Sequence, residues 1–312
     1  MNGILNVLKP AGMTSFDMVA FLRKVAGQKK IGHTGTLDPS AVGVLPICLG
    51  NATKAIDFMI DKDKVYRAEL TLGIATDTQD SSGKIIFTST VEADQKTISN
   101  IINGFVGEIQ QLPPMYSAIK IGGKKLYELA RQGETIERQT RCITIFNIDI
   151  IKIWDEEILF SDGEQSTEFS IKKVLFDVHC SKGTYIRTLC NDIGEKLGCG
   201  GHMSFLVRTR AGKYDLDSAL TIEEIKELAD TNNLNSSLLS VETVFEEYES
   251  IFLGEADSFK YNNGTWIEFV SNKFDNNAYK RVYDNRSIFL GIGELFVDGQ
   301  TVYLKSKKFF RD

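Results

Sequence analysis

The chain has 312 residues, 42% of them hydrophobic and 25% charged, close to the average of globular proteins. At about 150 residues per domain, that length predicts two domains or one large domain with an appendage, and no run of about 18 apolar residues marks a membrane span. Net charge is −6, the five cysteines (Cys48, Cys142, Cys180, Cys190, Cys199) form no CxxC, and His33, His179 and His202 are the three histidines, so neither a metal site nor a disulfide framework is indicated.

Residues 4–8 (Ile-Leu-Asn-Val-Leu) read as a short strand ended by Lys9-Pro10-Ala11-Gly12. The stretch Met1 to Ser15 lacks the basic start and unbroken apolar run of a signal peptide, and scattered reduced thiols agree with a cytoplasmic location. Thr14 or Ser15 then caps a helix whose Phe16, Val19, Ala20, Leu22 and Val25 follow helical spacing, closed by Gly27. Residues 31–46 are glycine-punctuated and irregular, and a helix is expected near 52–60. Residues 64–74 alternate as a strand, with Val65, Arg67 and Glu69 on one face and Tyr66, Ala68 and Leu70 on the other. A polar turn at 76–83 leads to a strand from Lys84 to Phe87. Residues 94–105 suit a helix, Pro113-Pro114 breaks the pattern, and a basic helix is expected over 124–132. Strands are expected at 142–153 and 169–180, with an acidic insert as the tip between them. A helix near 184–197 follows Lys182-Gly183 and ends at Gly198 to Gly201. Asp230 to Ser237 reads as a connection. After about 250 the pattern is short and strand-like, as at Tyr261-Asn262-Asn263-Gly264, Trp266 to Val270, Ser287 to Leu295 and Val302 to Lys305. The expected class is α+β, with a mixed or antiparallel central sheet flanked by helices and a small β-rich C-terminal domain.

Net acidity counts against a nucleic-acid partner, but the sign is uneven along the chain. Segment 153–170 carries Asp155, Glu156, Glu157, Asp162, Glu164 and Glu168, and 222–257 holds a second acidic block. Segment 117–141 carries Lys120, Lys124, Lys125, Arg131, Arg138 and Arg141 against Glu128, Glu134 and Glu137. Phosphate contacts act within roughly 10 Å at moderate salt, so a local basic face outweighs the total.

The densest feature is Gly32-His33-Thr34-Gly35-Thr36-Leu37-Asp38-Pro39, continuing through Ala41, Gly43, Leu45 and Pro46. Glycines permit close backbone approach, and Pro39 biases Asp38 towards an extended conformation. A rigid loop that fixes one carboxylate suits covalent or acid/base chemistry. The local pattern equally describes a turn in which Asp38 only bonds to backbone amides.

Residues Gly3 to Gly50 closely resemble the TruB family of tRNA pseudouridine synthases, through Lys9-Pro10-Ala11-Gly12-Met13-Thr14-Ser15 and the Gly32 to Pro39 run. Further blocks follow in family order: Lys64-Val65-Tyr66-Arg67, Pro114 to Lys120, Gly123 to Arg131, and Cys180 to Thr188. The likeness is strong over roughly 3–213 and weak beyond. It implies a pseudouridine synthase fold over 1–245, with an RNA-gripping insertion at about 114–142, and a PUA-like RNA-binding domain over 250–312.

The implied activity is isomerisation of uridine 55 in the T arm of tRNA, by base flipping and a C–N to C–C glycosidic rearrangement, without metal or other cofactor and with no protein partner. Asp38 would be the catalytic carboxylate, acting on ribose C1′ or the uracil ring and held ionised by a bidentate Arg187. Tyr66 would stack on the flipped uracil, with Leu206 as an apolar wall and Tyr185 among the substrate-binding residues. His33 would help fill the gap that the base leaves. Lys54, Lys120, Lys124, Lys125, Arg131 and Arg208 would meet RNA, and Lys305, Lys307, Lys308 and Arg311 in the charged terminal tail could touch the acceptor stem. Val207 departs from the family, which commonly has a second arginine there. Two other readings stay open at this point. One is a catalytically idle RNA-binding module; the other is a metal-dependent hydrolase built on His33 and Asp38.

Overall fold

The computed structural model describes residues 1–117, 119–130, 132–134, 136–162, 165–268, 278–299 and 301–310. The first strand, β1 (Gly3–Lys9), is apolar on both faces because both are covered. At the free side of this outermost strand, Ile4 bridges Leu239 and Val7 bridges Leu220, which blunts the edge. Helix α1 (Ser15–Val25) starts with a capping box in which the Thr14 hydroxyl accepts the Asp17 amide at 3.0 Å and Asp17 accepts the Thr14 amide at 2.8 Å. Its buried face is Met18, Val19 and Leu22, whereas Phe16, expected inside, is 60% exposed. The stripe is rotated because Ser15, not Phe16, faces the loop beneath the helix.

Strands β2 (Ile31–His33) and β3 (Val42–Leu49) confine the expected irregular stretch to 34–41. A 3₁₀ turn (Gly50–Ala55) and α2 (Ile56–Ile60) precede β4 (Lys64–Leu72). A small hairpin, β5 (Ile74–Thr76) and β6 (Ile85–Thr88), is followed by α3 (Gln95–Asn103) and β7 (Gly107–Gln111). The expected basic helix begins only at α4 (Leu126–Ala130); before it, β8 (Lys120–Ile121) and β9 (Lys124–Lys125) turn around Gly122 and Gly123, both at positive φ.

Strands β10 (Arg141–Asp162) and β11 (Gln165–Cys180) form one long hairpin that absorbs the acidic insert as strand. The acids there face lysines across the ladder: Asp155 pairs with Lys172, and Lys173 lies 3.3 Å from Glu156 and 3.1 Å from Glu69. Helix α5 (Ile186–Leu197) ends at Gly198 in the left-handed region, and β12 (Gly201–Ala211) with β13 (Tyr214–Asp215) follows. Helix α6 (Ile222–Asp230) completes this part. The sheet order is β1-β3-β12-β4-β11-β10-β7, with β2 on β3 and β13 on β12; β12 runs parallel to β3, and the other pairs are antiparallel.

The second sheet has five strands, in the order β14 (Ser250–Phe252), β16 (Tyr279–Tyr283), β17 (Phe289–Asp298), β18 (Thr301–Phe309) and β15 (Ile267–Glu268). Helix α7 (Glu255–Asn262) lies on it, so the Tyr261 segment expected as strand is the end of a helix. Tyr261 is fully buried with Val282, Leu295 and Leu304, and this packing decided against a strand. The two sheets share an aromatic seam: Phe245 meets Phe58 at 5.1 Å and Phe310 at 5.4 Å between ring centroids. The class is thus α+β, a mixed sheet flanked by helices with a small PUA-like C-terminal β domain.

Candidate active site

Asp38 sits in the loop between β2 and β3, and the Lys9 to Ser15 segment holds that loop. The Leu37 amide donates to Ser15 Oγ at 2.8 Å, and Gly12 N–H donates to the Pro39 carbonyl at 2.8 Å. Lys9, with no exposed surface, donates its Nζ to the carbonyls of Pro10 (2.8 Å), Met13 (2.6 Å) and Pro39 (3.4 Å). Burial lowers its pKa to about 8, opposed by the carboxylates of Asp38 and Asp17. Gly43 lies at φ +124°, where a Cβ would fall 2.2 Å from the Arg208 carbonyl, so only glycine lets β3 approach β12 there.

Arg187, in the first turn of α5 and 5% exposed, brings Nε to 3.0 Å from Asp38 Oδ2. The expected bidentate clamp on Asp38 is not formed, because the other two nitrogens are engaged elsewhere. Nη1 is 3.3 Å from Asp80 Oδ2 and 3.4 Å from the Thr78 carbonyl, and Nη2 donates to the Tyr116 carbonyl at 2.9 Å. Asp80, unread in the sequence, is 5% exposed, and its Oδ1 accepts from the Thr78 hydroxyl (2.7 Å) and from the Ser82 amide (3.0 Å) and hydroxyl (2.5 Å). The signal was present in Thr-Asp-Thr-Gln-Asp-Ser-Ser-Gly, a run of short polar side chains that bond to one another in turns. One buried cation is therefore shared by two carboxylates.

Asp38 keeps 36% of its side-chain exposure. Burial raises its pKa above the ordinary aspartate value; Arg187 and Lys9 pull it down, and Asp80 adds to the rise. The expected depression is absent because the cost of burying the carboxylate, with Asp80 beside it, outweighs the pull of Arg187 and Lys9.

Tyr66 on β4 is partly buried against the main core, which includes Leu37, Ala41 and Leu206. Burial raises its hydroxyl pKa, opposed by the nearby charge of Arg208. Tyr185 likewise has a raised pKa, through burial opposed by the nearby Ser117 hydroxyl and the charge of Arg141, and it feels the charges of Asp38 and Arg187. His33 is half-buried with Nδ1 accepting the Gly35 amide at 3.4 Å; burial and nearby Arg208 lower its pKa, which favours a neutral ring. Arg187, Tyr66 and Tyr185 thus lie within electrostatic reach of Asp38, His33 ends the strand that leads into the Asp38 loop, and Leu206 belongs to the core cluster that holds Leu37 and Ala41 of that loop.

Other expected contacts lie elsewhere. Arg208 is 1% exposed and donates Nε to the Val44 carbonyl (2.7 Å) and Nη2 to the Gly35 carbonyl (3.3 Å), so it braces the loop from beneath and presents no surface to RNA. Lys54 donates to the Phe309 carbonyl at 2.9 Å, tying the second sheet to the first. Arg131, Arg311 and the side chains of Lys120, Lys124 and Lys125 lie outside the described residues. Among the described residues no group of three or more His, Cys, Asp or Glu side chains is arranged to hold a metal ion.

Comparison with known proteins gives the family. Residues 23–186 match the TruB family pseudouridylate synthase (N terminal domain), and residues 187–246 match the tRNA pseudouridylate synthase B C-terminal domain. The chain is similar to the tRNA pseudouridine synthase B of Alkaliphilus oremlandii (strain OhILAs), 52% identical over 267 residues, covering 86% of this chain and 83% of the relative. It is also similar to that of Clostridioides difficile (strain 630), 43% identical over 317 residues, covering 99% and 100%. Among solved structures, a Cbf5-Nop10-Gar1 complex matches in fold with TM-score 0.71 and 23% identity, covering 99% of this chain and 85% of the other. With a partly open aspartate held by the first turn of α5, and family matches that run from Arg23 to Glu246, the chain belongs to the TruB family of pseudouridylate synthases.

Proposed function

We propose that this protein isomerises uridine 55 in the T arm of tRNA to pseudouridine, with Asp38 as the catalytic carboxylate. The observation that carries the reading is Asp38 itself: partly open, 3.0 Å from a buried arginine, and near enough to Tyr66 for its charge to act on that hydroxyl. The reaction breaks the N1–C1′ bond, turns the base and forms a C5–C1′ bond. The C5 proton leaves and N1 gains one, so no redox partner or outside group is consumed. Asp38 must be ionised to act on C1′ or on the ring, and Arg187 favours that form. The base must leave the stack to reach it, at a cost of a few kcal/mol that stacking on Tyr66 and filling by His33 offset in part.

In this reading residues 1–245 are the catalytic unit, the insertion at about 114–142 grips RNA, and 250–312 is a PUA-like RNA-binding unit. The protein acts in the cytoplasm, and no helix of the described residues is long and apolar enough to cross a membrane. The test is tritium release from C5-labelled uridine in unmodified tRNA, comparing wild type with Asp38→Asn in the presence of EDTA. Release by wild type alone supports the reading. No release by either, with tight tRNA binding, would replace the enzyme with an RNA-binding module.

A further inference from the structure

Arg187 faces Asp38 from the first turn of α5, yet that helix begins without a cap of its own: the side chain of Tyr185, its N-cap, makes no capping bond. In a capping box the third helical residue accepts the amide of the N-cap, as Asp17 does in α1 and Glu224 in α6. In α5 that residue is Thr188, whose hydroxyl instead donates to Gln79 Oε1 at 2.9 Å. The acceptor comes from another strand. Gln111, the last residue of β7 and 1% exposed, accepts the Tyr185 amide on Oε1 at 2.8 Å and donates Nε2 to the Tyr185 carbonyl at 3.0 Å. The same carbonyl takes the Leu189 amide at 3.0 Å, the bond that opens the helix. One primary amide therefore makes a two-point clasp on a single residue, which defines both where α5 starts and the direction in which it leaves.

Gln111 also stands at the root of the insertion. Beyond it, the Pro113 carbonyl accepts Arg138 Nη1 at 2.8 Å, and the Tyr116 carbonyl accepts Arg187 Nη2 at 2.9 Å. Segment 111–116 thus holds Arg187 twice, through the helix start and directly.

We propose that Gln111 is a positioning residue for the isomerisation: its clasp on Tyr185 aims Arg187 at Asp38 and ties that geometry to the root of the insertion. The inference rests on the reading of Asp38 and Arg187 given above. Gln111 acts through Tyr185 and Arg187 and touches no substrate atom.

The test is single-turnover tritium release by full-length Gln111→Met and Gln111→Glu, with tRNA Kd and melting temperature measured beside wild type. Methionine removes both bonds at similar volume. Glutamate keeps the acceptor for the Tyr185 amide and loses the donor. Gln111→Met is expected to slow turnover at saturating tRNA by about tenfold or more while Kd moves less than about threefold, because small displacements of reacting groups cost rate before affinity. Gln111→Glu is expected to recover most of the rate. A folded Gln111→Met with wild-type turnover overturns the proposal. So does a loss confined to Kd, which would make Gln111 part of the RNA grip. If Gln111→Met does not fold, Gln111→Asn, too short to reach Tyr185, is read by the same criteria. Asp38→Asn run in parallel separates the two ideas. Turnover surviving in Asp38→Asn overturns the reading of the site, whereas turnover lost there but intact in Gln111→Met overturns only the clasp.

Discussion

Two buried arginines flank the Asp38 loop, and their surroundings differ in kind. Arg187 is 5% exposed and lies against the carboxylates of Asp38 and Asp80, at 3.0 and 3.3 Å. Arg208 is 1% exposed and, among the described residues, pairs with no carboxylate; its bonds go to the carbonyls of Val44 and Gly35. A guanidinium beside carboxylates sets their protonation, whereas one beside carbonyls holds backbone in place. Burial and residue type are alike; the partners separate an arginine shared by two carboxylates from one that braces backbone and, at a distance, favours a neutral His33.

The sharpest test of the Arg187 side is its partner. Asp38→Asn is expected to abolish turnover while tRNA affinity falls less than about tenfold, or about 1.4 kcal/mol, as read by tritium release and filter binding. Comparable turnover in the variant would remove the electrostatic half of the comparison.

Arg187→Met comes next. It leaves Asp80 buried without its cation, and loss of one partner from such a pair costs about 3–5 kcal/mol of stability. The pH dependence should move with it. Burial already sets the Asp38 pKa above its ordinary 3.8, so activity that needs the carboxylate ionised rises with pH through that higher value. Losing Arg187 removes its largest lowering influence and moves this acid limb to higher pH. The sign for stability follows: a raised carboxyl costs nothing below its unfolded pKa, and the cost grows as pH rises from there through the folded value. An acid limb of single-turnover rate that stays in place in Arg187→Met would show that Arg187 does not govern Asp38.

Arg208→Met should lower stability as Arg187→Met does but leave the acid limb of the rate where it is, since Arg208 is not among the charges that act on Asp38. It leaves two carbonyls without donors, at about 1–3 kcal/mol for each group left unsatisfied, visible in urea unfolding. The salt dependence of tRNA binding should keep its slope, since no phosphate contact is lost. A slope reduced by about one would return Arg208 to the RNA interface. Lys54→Met is the smallest effect, about 1 kcal/mol for one bond to the Phe309 carbonyl, again with the salt slope unchanged.

Local patterns were legible where the chemistry is local. The Thr14 cap, the helix near 184–197 and the strand at 64–74 each follow from propensity and spacing within one element. Asp38, Tyr66 and Arg187 were legible through ordered motifs, and the structure brings Tyr66 and Arg187 within electrostatic reach of Asp38. The helix at 255–262 was missed because Tyr261 is fixed by packing on the second sheet, which no short window contains. Phe16 was misplaced because the rotation of α1 is set by Ser15 reaching the Leu37 amide, 22 residues away.

The sequence by itself determined the fold class, the family and the loop that carries the carboxylate, because those depend on periodicity and on runs of adjacent residues. The tertiary structure alone decided who shares the charge of Arg187, why Arg208 faces carbonyls, and how Gln111 clasps the N-cap of a helix 74 residues later. Those outcomes are bonds between residues far apart in the chain, formed only after the sheet has set their strands side by side. A sequence names the groups; the distances between them, which decide what each group does, appear only on folding.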